Sequence, residues 1–232
     1  CEVRPDASVK TLTIPETVTY KNVKYTVTDV VANPDNTSIP LIPEKYSDNK
    51  IKKITFPKSI NAKVGYLGVL KSIESITFKG NSAPETIKDW HLDGGILAWQ
   101  AVIYVPQGRI NSYMSSIELS YEIESYQESH YGCYMDYNFA EIGKDQVMRF
   151  VVDGILYRVT KYAGKKNGKV AVKGMDLNLK KVDIKSTVTY NGYTYNVTEV
   201  YVGAIKYGND REVNIDKSIK RNTKEKYTAP VY

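Results

Sequence analysis

Residues 181–200 read KVDIKSTVTYNGYTYNVTEV, and residues 11–30 read TLTIPETVTYKNVKYTVTDV. The two stretches align without a gap at a constant offset of 170, and nine positions are identical, among them Ile14/Ile184, Tyr20/Tyr190, Tyr25/Tyr195, Val27/Val197, Thr28/Thr198 and Val30/Val200. Asp29 and Glu199 keep the same charge. An internal repeat of this kind constrains the fold before any other feature does. In the second copy, Val188 and Tyr190 alternate toward Asn191-Gly192, and Tyr193, Tyr195 and Val197 alternate away from it. Asn-Gly adopts the positive φ angles that a two-residue hairpin turn requires, so each copy predicts a β-hairpin that runs on toward Val30 or Val200. The first copy has Lys21-Asn22 at the turn, a weaker signal in the same place.

Outward from the hairpins, short strand-like runs recur. Ile14, Phe56, Phe78 and Val105 occupy equivalent places, separated by 42, 22 and 27 residues. Val213-Asn214-Ile215 repeats the run at Phe56. Steps of 22 and 27 fall within the spacing of leucine-rich repeats, in which short parallel strands stack into one continuous core. Asp153-Gly154 and Asn167-Gly168 predict two more tight turns, and with Asn191-Gly192 they predict a β-meander leading into the second repeat strand. Helix is scarce. Ile110, Tyr113, Met114 and Ile117 share one helical face and predict a helix over 109–120 that caps the first stack. A shorter turn is expected over 84–90. Residues 126–147 show no sustained period and read as a connector. The expected organisation is a repeat module over 1–125, a connector over 126–147, and a second hairpin and repeat module over 148–232 that is truncated.

Composition agrees with a β-rich chain. Tyr occurs 20 times against 4 Phe and 2 Trp, a mix that suits half-buried strands and amphipathic binding faces. Most of these tyrosines are expected to pack within strands. Residues 1–125 balance 14 basic against 14 acidic side chains, while 126–232 carry 18 against 12, so the whole excess of +6 lies in the second half. Lysines spread along a segment read mainly as a solvated face. Without an arginine–aromatic motif, nucleic acid is not an expected partner. No stretch reaches the roughly 18 apolar residues of a membrane helix, so no membrane insertion is expected.

Few residues suggest chemistry. His130, Cys133 and Asp136 are metal-competent, but no second close pair completes a four-ligand set, so no metal is expected. Asp89, Trp90, His91 and Asp93 combine carboxylates with an aromatic ring, a pattern that a glycosidase uses. Turn capping explains the same carboxylates. No phosphate loop, nucleophile elbow or CxxC pair occurs. The expectation is therefore no enzyme, no catalytic residue, no cofactor and no metal. Trp90, His91, Trp99 and Tyr104 form the candidate ligand-binding patch. A hydrolase around His91 or His130 is the remaining catalytic alternative.

The I-x-I/F-P-x-S/T-V/I pattern, the TVTYNG hairpin, the SITFKGNSAP segment over 75–84 and the Val102-Ile103-Tyr104-Val105-Pro106 element before a helix together resemble BspA-like leucine-rich-repeat proteins, surface proteins of Bacteroides-type bacteria. The matching segments are roughly 1–30, 51–120 and 148–220, and Val202-Gly203-Ala204-Ile205 lies close to a further repeat element. The resemblance implies a mainly β fold with a leucine-rich-repeat-type β-solenoid, β-hairpins, little helix and two related modules. It also implies a secreted or outer-membrane-associated protein mediating adhesion, with host or bacterial surface proteins, or glycans, as partners. A carbohydrate-binding accessory role is the alternative. Residues 148–170 have no counterpart before Cys1, which leads to the expectation of a fragment of a longer protein. Cys1 as a lipid-anchor cysteine is the other expectation for that end.

Overall fold

The computed structural model describes residues 9–30, 51–61, 64, 72–84, 100–116, 130–133, 137–201, 203–204 and 211–223. The protein is mainly β. It divides into two compact units, the first comprising Cys1–Glu124 with Asp136–Lys144 and the second Ser125–Met135 with Asp145–Tyr232.

Unit 1 is built on five short strands, β1 (Thr11–Thr13), β4 (Lys53–Phe56), β5 (Ser75–Phe78), β6 (Val102–Val105) and β7 (Asn138–Glu141). All four neighbouring pairs are parallel and the strands follow chain order. The register aligns Leu12, Ile54, Ile76, Ile103 and Phe139 in one row. The same offsets carry Ile14 to Phe56, Phe78 and Val105, the row that the sequence spacing predicts. Alternate residues turn inward, so Ile54, Phe56, Ile76, Phe78, Ile103 and Val105 are all buried. Stacked rows of this kind give one core that no single strand could close alone. The Phe56 and Phe78 rings stack with centroids 5.0 Å apart.

The capping helix α1 spans Ile110–Met114, shorter than the predicted 109–120. Ile117 lies outside the described residues, as do the positions of the turn expected beyond Pro84. Ile110 and Tyr113 are its buried residues. The Tyr113 hydroxyl donates to the carbonyls of Gly80 (2.9 Å) and Ser82 (3.0 Å), so the helix closes the stack through a satisfied polar contact as well as apolar burial.

One strand of this sheet, β7, comes from the segment that the sequence reads as connector. All four of its residues are buried. A strand covered on both faces loses the alternation that would reveal it. Glu141 is tolerated there because its carboxylate accepts the Gly108 amide proton at 2.7 Å.

The first hairpin, β2 (Thr17–Tyr20) and β3 (Val23–Thr26), forms a separate two-stranded sheet. Lys21 and Asn22 take φ of 48° and 62°, the left-handed turn that the sequence places there.

Unit 2 carries the second copy of the hairpin inside a larger sheet. Strands β8 (Arg149–Val152), β9 (Ile155–Lys161) and β10 (Gly168–Met175) form an antiparallel meander. The hairpin itself is β12 (Thr187–Tyr190) and β13 (Tyr193–Tyr201), and β13 runs parallel to β10. Strand β15 (Lys220–Asn222) continues the β12 edge of β13. Strands β11 (Lys181–Ile184) and β14 (Glu212–Ile215) pair in parallel, with Ile184 opposite Ile215.

Asp153-Gly154 and Asn191-Gly192 are turns with positive φ, as predicted. Asn167-Gly168 is not. The chain turns earlier, where the Gly164 amide donates to the Lys166 carbonyl at 3.0 Å, and Gly168 is the first residue of β10. Its role is space: a β-carbon there would lie 2.7 Å from the Lys161 carbonyl oxygen and against the Tyr195 ring.

Candidate binding surfaces

Of the predicted patch, Trp90, His91 and Trp99 lie outside the described residues. Tyr104 sits on β6, half-buried, on the face of the parallel sheet opposite the core. Its register neighbours are Thr13, Thr55 and Thr77 on one side and Ala140 on the other. The alternation that buries Ile103 and Val105 turns this row outward. The result is a strip of three threonines ending on a tyrosine ring. Hydroxyls and an aromatic face on a rigid sheet suit a macromolecular surface or a sugar ring.

At the end of the same strip lies a shallow cleft of about 340 Å³, lined by Thr13, Ile14, Pro15, Glu16, Thr55, Pro57, Lys58 and Lys79. Its described lining holds two lysines and one carboxylate, and the Lys58 ammonium lies 3.8 Å from the Glu16 carboxylate. Glu16 is the one carboxylate among the described residues of the lining, so these residues offer no pair for acid–base hydrolysis.

Unit 2 encloses a cluster of buried basic groups beside a thiol. Arg149, Arg158 and Lys173 are buried in the β8–β10 meander. The Lys173 ammonium lies 4.0 Å from the centre of the Tyr201 ring. Burial, and secondarily the charge of Arg158, lowers the Lys173 pKa to about 8, against an opposing pull from Cys133. Cys133 is a free thiol packed on Gly174. Burial pushes it up to about 11, with Lys173 and Arg149 acting in the opposite direction. A thiol held protonated at neutral pH is a poor nucleophile and a poor metal ligand. Among the described residues, no three His, Cys, Asp or Glu side chains come together as a metal-binding group, and Asp136 lies outside them. Among them, too, no helix is long and apolar enough to cross a membrane.

The surface that sequence reasoning missed is the first hairpin. Val18, Tyr20, Val23 and Tyr25 are 46%, 63%, 51% and 49% exposed. Their apolar character was legible, but the reading of the tyrosines as strand packing placed them inside. No signal in the sequence separates Tyr25 from its buried counterpart Tyr195, because the two hairpins carry the same residue at that place. No family model, curated protein or solved structure matches the chain.

Proposed function

We propose that this chain is a non-catalytic repeat protein of the cell surface or secreted space that binds protein partners through the outward face of its parallel sheet. In this reading the five in-register strands of unit 1 are turns of a leucine-rich-repeat-type solenoid, and β11 with β14 begins a second one. The observation that carries it is the chain-order parallel stack, which presents Thr13, Thr55, Thr77 and Tyr104 as one continuous strip. Such stacks make extended, rigid recognition surfaces. The protonated Cys133 thiol and the lone carboxylate among the cleft's described residues add nothing in favour of catalysis.

The test is a binding screen of the purified full chain against extracellular-matrix proteins and a polysaccharide array at two salt concentrations. The expected result is saturable binding to a protein, weakened roughly tenfold by Tyr104→Ser, as loss of an aromatic anchor does. Steep salt dependence would assign the contact to the basic second half instead of the strip. Salt-insensitive glycan binding lost on Trp90→Ala would replace the reading with the carbohydrate-binding one. Silence on both panels would overturn it.

A further inference from the structure

Residues 161–169, at the turn between β9 and β10, read KYAGKKNGK, with four lysines and no carboxylate. Lys161, Lys165, Lys166 and Lys169 are all exposed. The register sets Lys161 directly opposite Lys169. Like charges directly opposite each other destabilise a ladder. On β11 and β14 the corresponding problem is solved with a carboxylate: Lys181 stands opposite Glu212, its ammonium 3.3 Å from the acid. None of the four lysines at the turn has an ion-pair partner among the described residues. Solvation alone gives no reason for two lysines to face each other on a strand pair.

The same register carries the pair onward across the sheet. Lys169 lies beside Asn196 of β13, and Asn196 faces Thr187 of β12. Partners on neighbouring strands share a face, so Lys161, Lys169, Asn196 and Thr187 form one row, and all four are exposed. Three strand spacings of about 4.8 Å make the row roughly 14 Å long. Lys165 and Lys166 lie in the turn at its cationic end. Hydrogen bonds hold that turn on the sheet. Gln146 Nε2 donates to the Ala163 carbonyl at 2.9 Å, and Gln146 Oε1 accepts the Ala163 amide proton at 2.8 Å. Asn167 Nδ2 donates to Asn196 Oδ1 at 3.1 Å, which leaves the Asn196 NH2 group as a donor to a ligand. Asp145, next to Gln146, is engaged by the Tyr193 hydroxyl at 2.7 Å.

We propose that this row binds an acidic polysaccharide, its carboxylate or sulfate groups on the lysines and its ring hydroxyls on Asn196 and Thr187. An anion laid between Lys161 and Lys169 turns their repulsion into a shared attraction. The row then runs on into an amide and a hydroxyl, so it matches a ligand that combines charge with neutral oxygens. Row and exposed turn consist of lysine, glycine, asparagine and threonine. They lack the aromatic anchors of a protein hot spot or a single-stranded nucleic-acid site. They also lack the apolar face that seats a segment in a lipid surface. The inference is independent of the threonine strip of unit 1.

The experiment titrates fluorescently labelled oligogalacturonate, a chain of uronic acids, with the full chain and reads anisotropy at low and high salt. Dextran sulfate and neutral dextran are run beside it. The expected result is saturable binding to the acidic chains, weakened by salt, and none to dextran. Lys161→Gln with Lys169→Gln should weaken it roughly tenfold and make the salt dependence shallower. The same variant should raise thermal stability slightly, since like charge leaves the ladder, and this separates lost binding from lost folding. Thr187→Val should weaken oligogalacturonate while sparing inorganic polyphosphate, which has no ring hydroxyls. Lys181→Gln with Lys217→Gln, an equal loss of charge off the row, should leave binding unchanged, as should Tyr104→Ser. Tighter binding of the uronate or of the sulfated chain names the anionic group. Absence of saturable binding to either acidic chain overturns the proposal. So does an equal loss from the Lys181 and Lys217 variant, which would mean attraction by net charge alone. Tighter row-dependent binding of polyglutamate or of phosphatidylglycerol vesicles would overturn it in favour of an acidic protein or a lipid surface.

Discussion

Hairpins β2–β3 and β12–β13 form a natural experiment on what surrounds a strand pair. Their turns are both left-handed and their strand registers match residue for residue at the offset of 170. Yet Tyr25 is 49% exposed and Tyr195 is 1% exposed. Length follows the neighbour too: the second strand has four residues in one copy and nine in the other. A two-stranded ribbon is marginal by itself, and a third strand turns it into part of a core. Burial here belongs to the meander and not to the hairpin sequence.

The sharpest way to break this comparison is to truncate the equivalent tyrosines. Tyr195→Ala removes a ring packed on Phe150 and a buried hydroxyl bonded to Gln146. It should cost unit 2 about 3–5 kcal/mol, in line with other buried aromatics. Tyr25→Ala should change unit 1 by about 0.5 kcal/mol or less, as surface substitutions do. Urea denaturation with pulse proteolysis, which reads cleavage in each unit separately, checks both. Equal costs would mean that Tyr25 is covered after all. Gly168→Ala follows with a smaller loss, about 1–3 kcal/mol from forced overpacking against Tyr195.

A second way is to exchange the turns. Lys21 and Asn22 hold φ of 48° and 62° without a glycine, whereas the second hairpin places Gly192 at φ 78°. A non-glycine residue in that region carries a strain of roughly 1–2 kcal/mol, less for Asn. Lys21→Asn with Asn22→Gly should therefore stabilise the first hairpin by about 1 kcal/mol, and Asn191→Lys with Gly192→Asn should cost the second about as much. Hydrogen exchange at Val27 and Val197, whose amides close the two hairpins onto Glu16 and Ser186, gives the readout.

What was legible follows from the same logic. The row Ile14, Phe56, Phe78 and Val105 could be read because each residue lies on, or in the case of Ile14 directly after, a strand with one buried face, so its spacing survives in the sequence. The turns at 153–154 and 191–192 could be read because positive φ restricts residue choice. Asn167-Gly168 misled because the same dipeptide serves a different need: Gly168 makes room for a ring donated by a strand 27 residues away. Strand β7 was hidden because Asn138, Phe139, Ala140 and Glu141 are all buried, leaving no period to detect. Within the candidate patch, Tyr104 could be placed by alternation with Ile103 and Val105. The exposure of Tyr20 and Tyr25 could not, because an identical residue pair is covered elsewhere in the chain.

The two units should also part company with pH. In unit 2, Lys173 is lowered from 10.5 to about 8 by burial and by Arg158. Between those values the unfolded chain holds the proton and the folded chain does not, so stability rises with pH through that window. Cys133 acts in the other direction, since its thiol is raised from 9.0 to about 11 and its contribution is lost as pH climbs above 9. Tyr157 and Tyr195, both raised to about 12, oppose folding only beyond 10. The step from pH 8 to pH 9 is dominated by Lys173, with Cys133 offsetting a smaller part as the unfolded thiol begins to ionise, and unit 2 should gain somewhat less than about 1 kcal/mol across it. In unit 1 the buried tyrosine of the capping helix, Tyr113, is pushed upward by burial and stays neutral over the same step, so that unit should remain flat. Lys173→Met should erase the rise and leave unit 2 more stable at pH 7, because an ammonium is no longer carried into the sheet. A rise that survives Lys173→Met would place its origin in another group, and a matching rise in unit 1 would remove the contrast between the two halves.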